Sequence, residues 1–141
     1  MSTVIQILNA DVNLKSMVKA IKAAGLEETL NGEGPFTILA PVNLAFSQAK
    51  PFAGEELLTP SHHDFLTDLL NCCIVTEKKL SRNFLNGQKL KTIHGRELQV
   101  TVKDGEIRIN GARILGRDRQ GSNGVVHSTD SIGIMAETPA P

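Results

Sequence analysis

The only two cysteines, Cys72 and Cys73, are adjacent in the run Leu69-Leu70-Asn71-Cys72-Cys73-Ile74-Val75. Adjacent thiols could form a redox couple, a metal clip or a nucleophile, and geometry restricts all three. Neighbouring Cα atoms stand about 3.8 Å apart, below the roughly 4.4–6.8 Å usual for a disulfide, so a vicinal bridge would be strained. On a strand the two thiols would point to opposite faces and could not share a metal. A free cysteine otherwise behaves as a small buried hydrophobe. Packing is therefore the first reading, ahead of a redox-reactive thiol and of metal ligation.

The histidines offer little more. His62 and His63 open a helical segment, where adjacent side chains diverge by about 100° and cannot easily chelate one ion. His94 precedes Gly95 in a turn. No HExxH, CxxC or zinc-type Cys/His spacing occurs. Ser122, His127 and Asp130 invite a triad reading, but alternation along a strand scatters them, and a triad is defined by geometry. Gly121-Ser122-Asn123-Gly124 follows Arg-Asp-Arg-Gln and leads into a strand, so it lacks the helix start that cradles a phosphate. No paired carboxylates sit in an apolar setting suited to acid–base work. Neither a catalytic residue nor a cofactor or metal site is expected.

The totals exclude further classes. Lys and Arg number 15, as do Asp and Glu, which argues against a nucleic-acid or anionic-membrane footprint. All five aromatic residues are Phe, so base stacking is not expected as a main activity. Arg113, Arg117 and Arg119, with Asp118 among them, read as a solvated loop. No apolar run reaches transmembrane length, and the start Met1-Ser2-Thr3-Val4-Ile5-Gln6-Ile7-Leu8 lacks the pattern of a signal peptide. The chain is expected to be cytoplasmic if Met1 is the native start, and secreted, cell-surface or periplasmic if a targeting segment has been removed.

The elements that must hold these residues begin as helices. Val4–Asn9 is a short helix with Val4, Ile5 and Leu8 inward. Asn13 is the expected cap of a helix whose Leu14, Met17, Val18 and Ile21 share one face, ending at Gly25. Residues 31–35, Asn-Gly-Glu-Gly-Pro, form a loop. Phe36–Ala40 is a buried strand whose pairing should stop at Pro41. Asn43 is expected to cap a short helix through Ala45 and Phe46, and Ser61 one running to Leu70. From Gln88 the period is two. Leu98, Val100 and Val102 alternate with polar residues, and Asp104-Gly105 and Asn110-Gly111 are hairpin turns. Residues 124–127 and 131–134 are expected to form a last strand pair, with a frayed tail at 138–141. Helices first and strands later imply an α+β domain with mainly antiparallel sheet, spanning residues 1–137.

Two stretches carry a resemblance. Thr37 to Phe46, Thr-Ile-Leu-Ala-Pro-Val-Asn-Leu-Ala-Phe, resembles the first signature of the fasciclin I (FAS1) domain family. Asn123 to Asp130, Asn-Gly-Val-Val-His-Ser-Thr-Asp, resembles the second. The intervening Asn-Gly-Gln turn, paired strands and Asn-Gly-Ala turn are similar to the family's middle, and residues 15–36 to its first helices. The resemblance implies a roughly seven-stranded β-sandwich or wedge with several helices, mostly in the N-terminal half. Val42 stands where the family has Thr, and Thr129 where it has Val or Ile. Cys72 and Cys73 stand in place of a Tyr-His pair whose surroundings are implicated in cell or receptor binding in some members.

The resemblance implies a non-enzymatic adhesion or cell-surface module with a protein or glycan partner, and a monomer or at most a weak dimer. Its signature and possible interaction residues are Thr37, Pro41, Asn43, Phe46, Cys72, Cys73, Asn123, Gly124, His127 and Asp130. An intracellular scaffold or binding protein of the same fold is the alternative, supported by unpaired cysteines. A thiol-dependent role for Cys72 or Cys73 stands third.

Overall fold

The computed structural model describes residues 2–48 and 58–131. Helix α1, Val4–Ala10, starts at a reciprocal cap: the Thr3 hydroxyl accepts from the Gln6 amide, and the Gln6 side chain accepts from the Thr3 amide. It buries Val4, Ile5 and Leu8, as its spacing predicts. Helix α2, Lys15–Ala24, buries Met17, Ala20, Ile21 and Ala24. Gly25 ends it at φ 73°, a conformation that costs a glycine little. Asn13 is not its cap. A single tight turn, Val12–Leu14, precedes α2, and the Asp11 carboxylate accepts from the Asn13 amide. Helix α3, Glu27–Leu30, and then β1, Phe36–Pro41, follow.

Helix α4 is Asn43–Ser47 and α5 is His63–Asn71. The cap predicted at Ser61 is not made. Pro60–His62 forms a tight turn before α5, and no side chain caps either start. The remaining strands are β2 (Ile74–Val75), β3 (Lys89–Lys91), β4 (Glu97–Lys103), β5 (Glu106–Ile109), β6 (Ala112–Arg113), β7 (Arg119–Gly121) and β8 (Gly124–Thr129).

Among the described residues the eight strands make two four-stranded sheets, ordered β2-β1-β8-β7 and β3-β4-β5-β6. Bridges Val75–Thr92 and Ile114–Thr129 join the sheets at two places. The second sheet is the predicted meander, turned at Asp104-Gly105 and Asn110-Gly111, all four with positive φ. Leu90, Leu98, Val100, Ile107, Ile109 and Ala112 face inward and join one apolar cluster with α1, α2, α5 and the first sheet.

The first sheet departs from expectation. β8 runs parallel to β1, pairing from Phe36–Gly124 to Pro41–Thr129. Its antiparallel partner is β7, in a stretch with no strand signal. Ser131 lies outside any strand, and residues 132–134 of the expected last strand lie outside the described residues, as does the tail. Pro41 does not stop pairing with β8 either. The amides of Phe36 and Val42 donate to the β8 side, to the carbonyls of Asn123 and Thr129, whereas the Leu39 amide donates to Cys73 on the β2 side. Position 41 shares the orientation of Leu39, so its missing donor faces away from β8, beyond the end of β2. Both central strands are buried along their whole length, as parallel pairs usually are.

Candidate functional site

The two motif stretches lie side by side, because β1 opens the first and β8 holds most of the second. Thr37 and Leu39 project from one face of β1, level with Val125 and His127 on β8. That face packs against the segment after β2. The Lys79 amide donates to the Thr37 hydroxyl at 2.8 Å, and that hydroxyl donates to the Glu77 carbonyl. His127, fully buried, donates from Nε2 to the Lys79 carbonyl at 2.7 Å, and its Nδ1 accepts from the Asp118 amide at 3.2 Å. The second contact requires a bare Nδ1, so the ring is neutral with its proton on Nε2. Lys79 is thus gripped on its amide by one motif and on its carbonyl by the other.

Asp118 extends the network at φ 59°, a conformation aspartate tolerates better than most residues. Its carboxylate accepts from the Ser81 amide at 2.6 Å and the Ser81 hydroxyl at 2.5 Å, holding the turn Ser81–Asn83. Burial by itself would raise the Asp118 pKa, but the two Ser81 hydrogen bonds and the charge of Arg117 bring it below the usual carboxylate range. Burial pushes the His127 pKa below its ordinary value, outweighing the Lys79 carbonyl and Asp118. Ser81, Asp118 and His127 do not form a relay. The ring meets the backbone amide of Asp118, and both ring nitrogens are occupied.

Asn123 and Gly124 close the other end. The Asn123 carbonyl oxygen Oδ1 accepts from the Val4 amide at 2.9 Å, and Nδ2 donates to the carbonyls of Leu30 and Gly32, each at 2.8 Å. One side chain thereby ties the starts of α1 and β8 to the end of α3. A Cβ on Gly124 would stand 2.2 Å from the Phe36 carbonyl, so only glycine lets β1 approach.

Asn43 does not cap its own helix. Its Oδ1 accepts from the Ser16 amide at 2.8 Å and its Nδ2 donates to the Val12 carbonyl at 2.8 Å, so it caps α2 from outside. Val42 occupies the capping position of α4 with extended backbone and no side-chain hydrogen bond. The hydroxyl gained at Thr129 donates to the Ser131 carbonyl at 3.2 Å. Asp130 pairs with Arg113: Oδ1 accepts from its amide and the Asp130 amide donates to its carbonyl. Pro41 and Phe46 are buried.

Cys72 ends α5 and Cys73 follows it before β2; both are free thiols, 3% and 0% exposed. Burial raises both pKa values, well above the ordinary thiol range for Cys73, which leaves the reactive thiolate scarce at neutral pH. Among the described residues no three His, Cys, Asp or Glu side chains group to hold a metal ion, and no helix is long and apolar enough to cross a membrane. Ser122, His127 and Asp130 remain apart in role. The Ser122 amide donates to the Ser2 carbonyl, and the others are engaged as above. Arg113 and Arg119 are not loop residues: they sit on β6 and β7 and pair with Glu106 and Asp11. An open groove of about 520 Å³ lies between α1 and β7, with that Arg119–Asp11 pair in its lining.

Residues 12–133 match the model of the Fasciclin domain. The chain belongs to the fasciclin-domain family. It is 34% identical over 130 residues to protein sll1483 of Synechocystis sp., covering 92% of this chain and 72% of that protein. To the transforming growth factor-beta-induced protein ig-h3 of Sus scrofa it is 33% identical, over 94% of this chain and 19% of that protein. Human periostin is 33% identical over 73% of this chain and 11% of its own length. This chain therefore spans only a small part of these two animal relatives. The fold matches that of a FAS1 domain pair from the insect cell adhesion molecule Fasciclin I, with a TM-score of 0.71 at 19% identity, over 92% of this chain and half of that one. In this fasciclin domain the sequence reading missed Ser81, Glu77, Lys79 and Asp118. Only Asp118 carried a signal, as an aspartate among arginines at a turn.

Proposed function

We propose that this chain is a non-enzymatic fasciclin-type interaction module that attaches to a cell surface or matrix through a protein or glycan partner. The observation that carries the reading is the occupation of the motif side chains. Thr37, Asn43, Asn123, His127 and Asp130 each satisfy hydrogen bonds from other segments of the same chain. Groups so engaged are framework, not reactants. In this reading residues 1–137 form one domain, the buried motif residues shape it, and exposed side chains meet the partner. Cys72 and Cys73 are packing residues, and the receptor-binding role associated with a Tyr-His pair does not pass to them. The adhesion role named for Fasciclin I supports placing the protein outside the cytoplasm, at a surface or in a periplasm. Attachment of cells to protein-coated wells tests the reading. Saturable attachment that soluble folded protein competes away is expected. Attachment no better than to an inert coating, across micromolar coating concentrations, would overturn it.

A further inference from the structure

The outward face of the second sheet is cation-rich although the chain as a whole is neutral. Lys89 and Lys91 on β3, Lys103 on β4, Arg108 on β5 and Arg113 on β6 are all exposed, and Lys91, Arg108 and Arg113 each stand between buried neighbours. The carboxylates in the strands of this face are Glu97 and Glu106. Asp104, in the turn beside Lys103, and Asp130, whose carboxylate accepts from the Arg113 amide, adjoin the face, so the excess lies with the three lysines, which make no ion pair among the described residues. Glu106 binds both Arg108 and Arg113, while also standing opposite Lys103. Glu97 stands opposite Lys91, and Lys89 faces the neutral Gln99. Strands lie about 4.8 Å apart and outward residues recur about every 6.8 Å, so the cations form a flat grid, not a pocket.

The face is also polar throughout. The large exposed apolar residues Val12, Leu44, Leu85, Ile93 and Leu115 all lie outside its strands. An interface with a protein normally centres on aromatic or aliphatic anchors, which this surface lacks. Gln99 and Thr101, outward on β4 between the cations, supply hydroxyl and amide groups suited to sugar hydroxyls. The groove between α1 and β7 is a weaker candidate, because its cation Arg119 is paired with Asp11 and no charge selects an occupant.

We infer that this sheet face binds an anionic polysaccharide, sulfated or carboxylated, through Lys89, Lys91, Lys103, Arg108 and Arg113. The inference rests on the adhesion reading and names its partner. A rigid sheet holds the cations without ordering a loop, and the charge excess exerts long-range attraction on a polyanion.

Immobilised heparin is the probe, with affinity measured at several salt concentrations. The wild-type protein is expected to bind with an affinity that falls steadily as salt rises, because bound cations release counterions from the polymer. Lys89→Gln, Lys91→Gln and Lys103→Gln together are expected to weaken binding at least tenfold and flatten the salt dependence. None of the three makes a strand hydrogen bond through its side chain, and thermal melting checks that the fold is kept. The matched variant with Lys15→Gln, Lys19→Gln and Lys22→Gln, exposed on α2, is expected to bind within twofold of wild type. Equal loss in the α2 variant, no binding by wild type at physiological salt, or equally tight lysine-dependent binding to polyglutamate would overturn the inference. Cells that still attach to the sheet variant, when heparin binding is gone, overturn the claim that this face supplies the adhesion partner and leave the adhesion reading standing.

Discussion

Asn123 concentrates more of the framework in one side chain than any other motif residue: a buried amide joins α1, α3 and the start of β8 through three hydrogen bonds. Asn123→Ala leaves one buried amide and two carbonyls without that partner, and each such orphan costs about 1–3 kcal/mol. A loss of about 3 kcal/mol in urea unfolding is expected, with little change in the slope against urea. His127 gives the molecule a pH dependence of known sign. Its folded pKa lies below the unfolded value of about 6.5, so the unfolded chain takes up the proton first. The stabilisation is fully present above about pH 6.5 and is lost as the pH falls through the lower folded pKa. Urea midpoints should therefore decline on acidification from neutral pH, and His127→Gln should remove most of that decline. Asp118, whose pKa is also lowered, adds its loss only below about pH 4. The thiols make the opposite kind of statement. A thiol reagent at neutral pH should modify Cys72 and Cys73 no faster than the protein opens, and both at once in denaturant.

At the scale of elements, the end of β1 is where this chain leaves a stabilising contact unmade. Val42 has the extended backbone of a helix cap and its carbonyl accepts from the Ala45 and Phe46 amides, yet its side chain offers the amides of α4 no acceptor. Val42→Thr supplies one in nearly the same volume, and a gain of about 0.5–1 kcal/mol in thermal or urea unfolding is expected. The contacts that sequence reveals are local ones. Asp104-Gly105 and Asn110-Gly111 fix the register of β4, β5 and β6 within a few residues, and Gly25 ends α2 at the position its conformation requires. Asn43 shows the limit. A cap at a helix start is visible when it serves its own helix, but Asn43 serves α2, 27 residues earlier in the chain. β7 is similar: Arg119 and Gln120 have no alternation of their own and become a strand only against Val125 and Val126.

The whole molecule is organised around the parallel contact of β1 with β8. It brings the two motifs together and uses both to hold Glu77 and Lys79, while Asp118, bonded to His127, holds Ser81. That pairing joins strands near opposite ends of the chain, and hydrophobic pattern alone cannot specify which strands meet or in which direction. The α+β class was legible from the order of helices and strands. The motif residues were visible in the sequence, but their partners at Lys79, Ser81 and Asp118 depend on tertiary contacts. The central claim is that the motif side chains are framework while exposed residues carry adhesion. Cell attachment by Thr37→Val and His127→Gln, measured per folded molecule well below each variant's melting temperature, tests it most directly. The account expects lower melting temperatures with attachment unchanged. Attachment lost while melting temperature and fold remain those of wild type would contradict it.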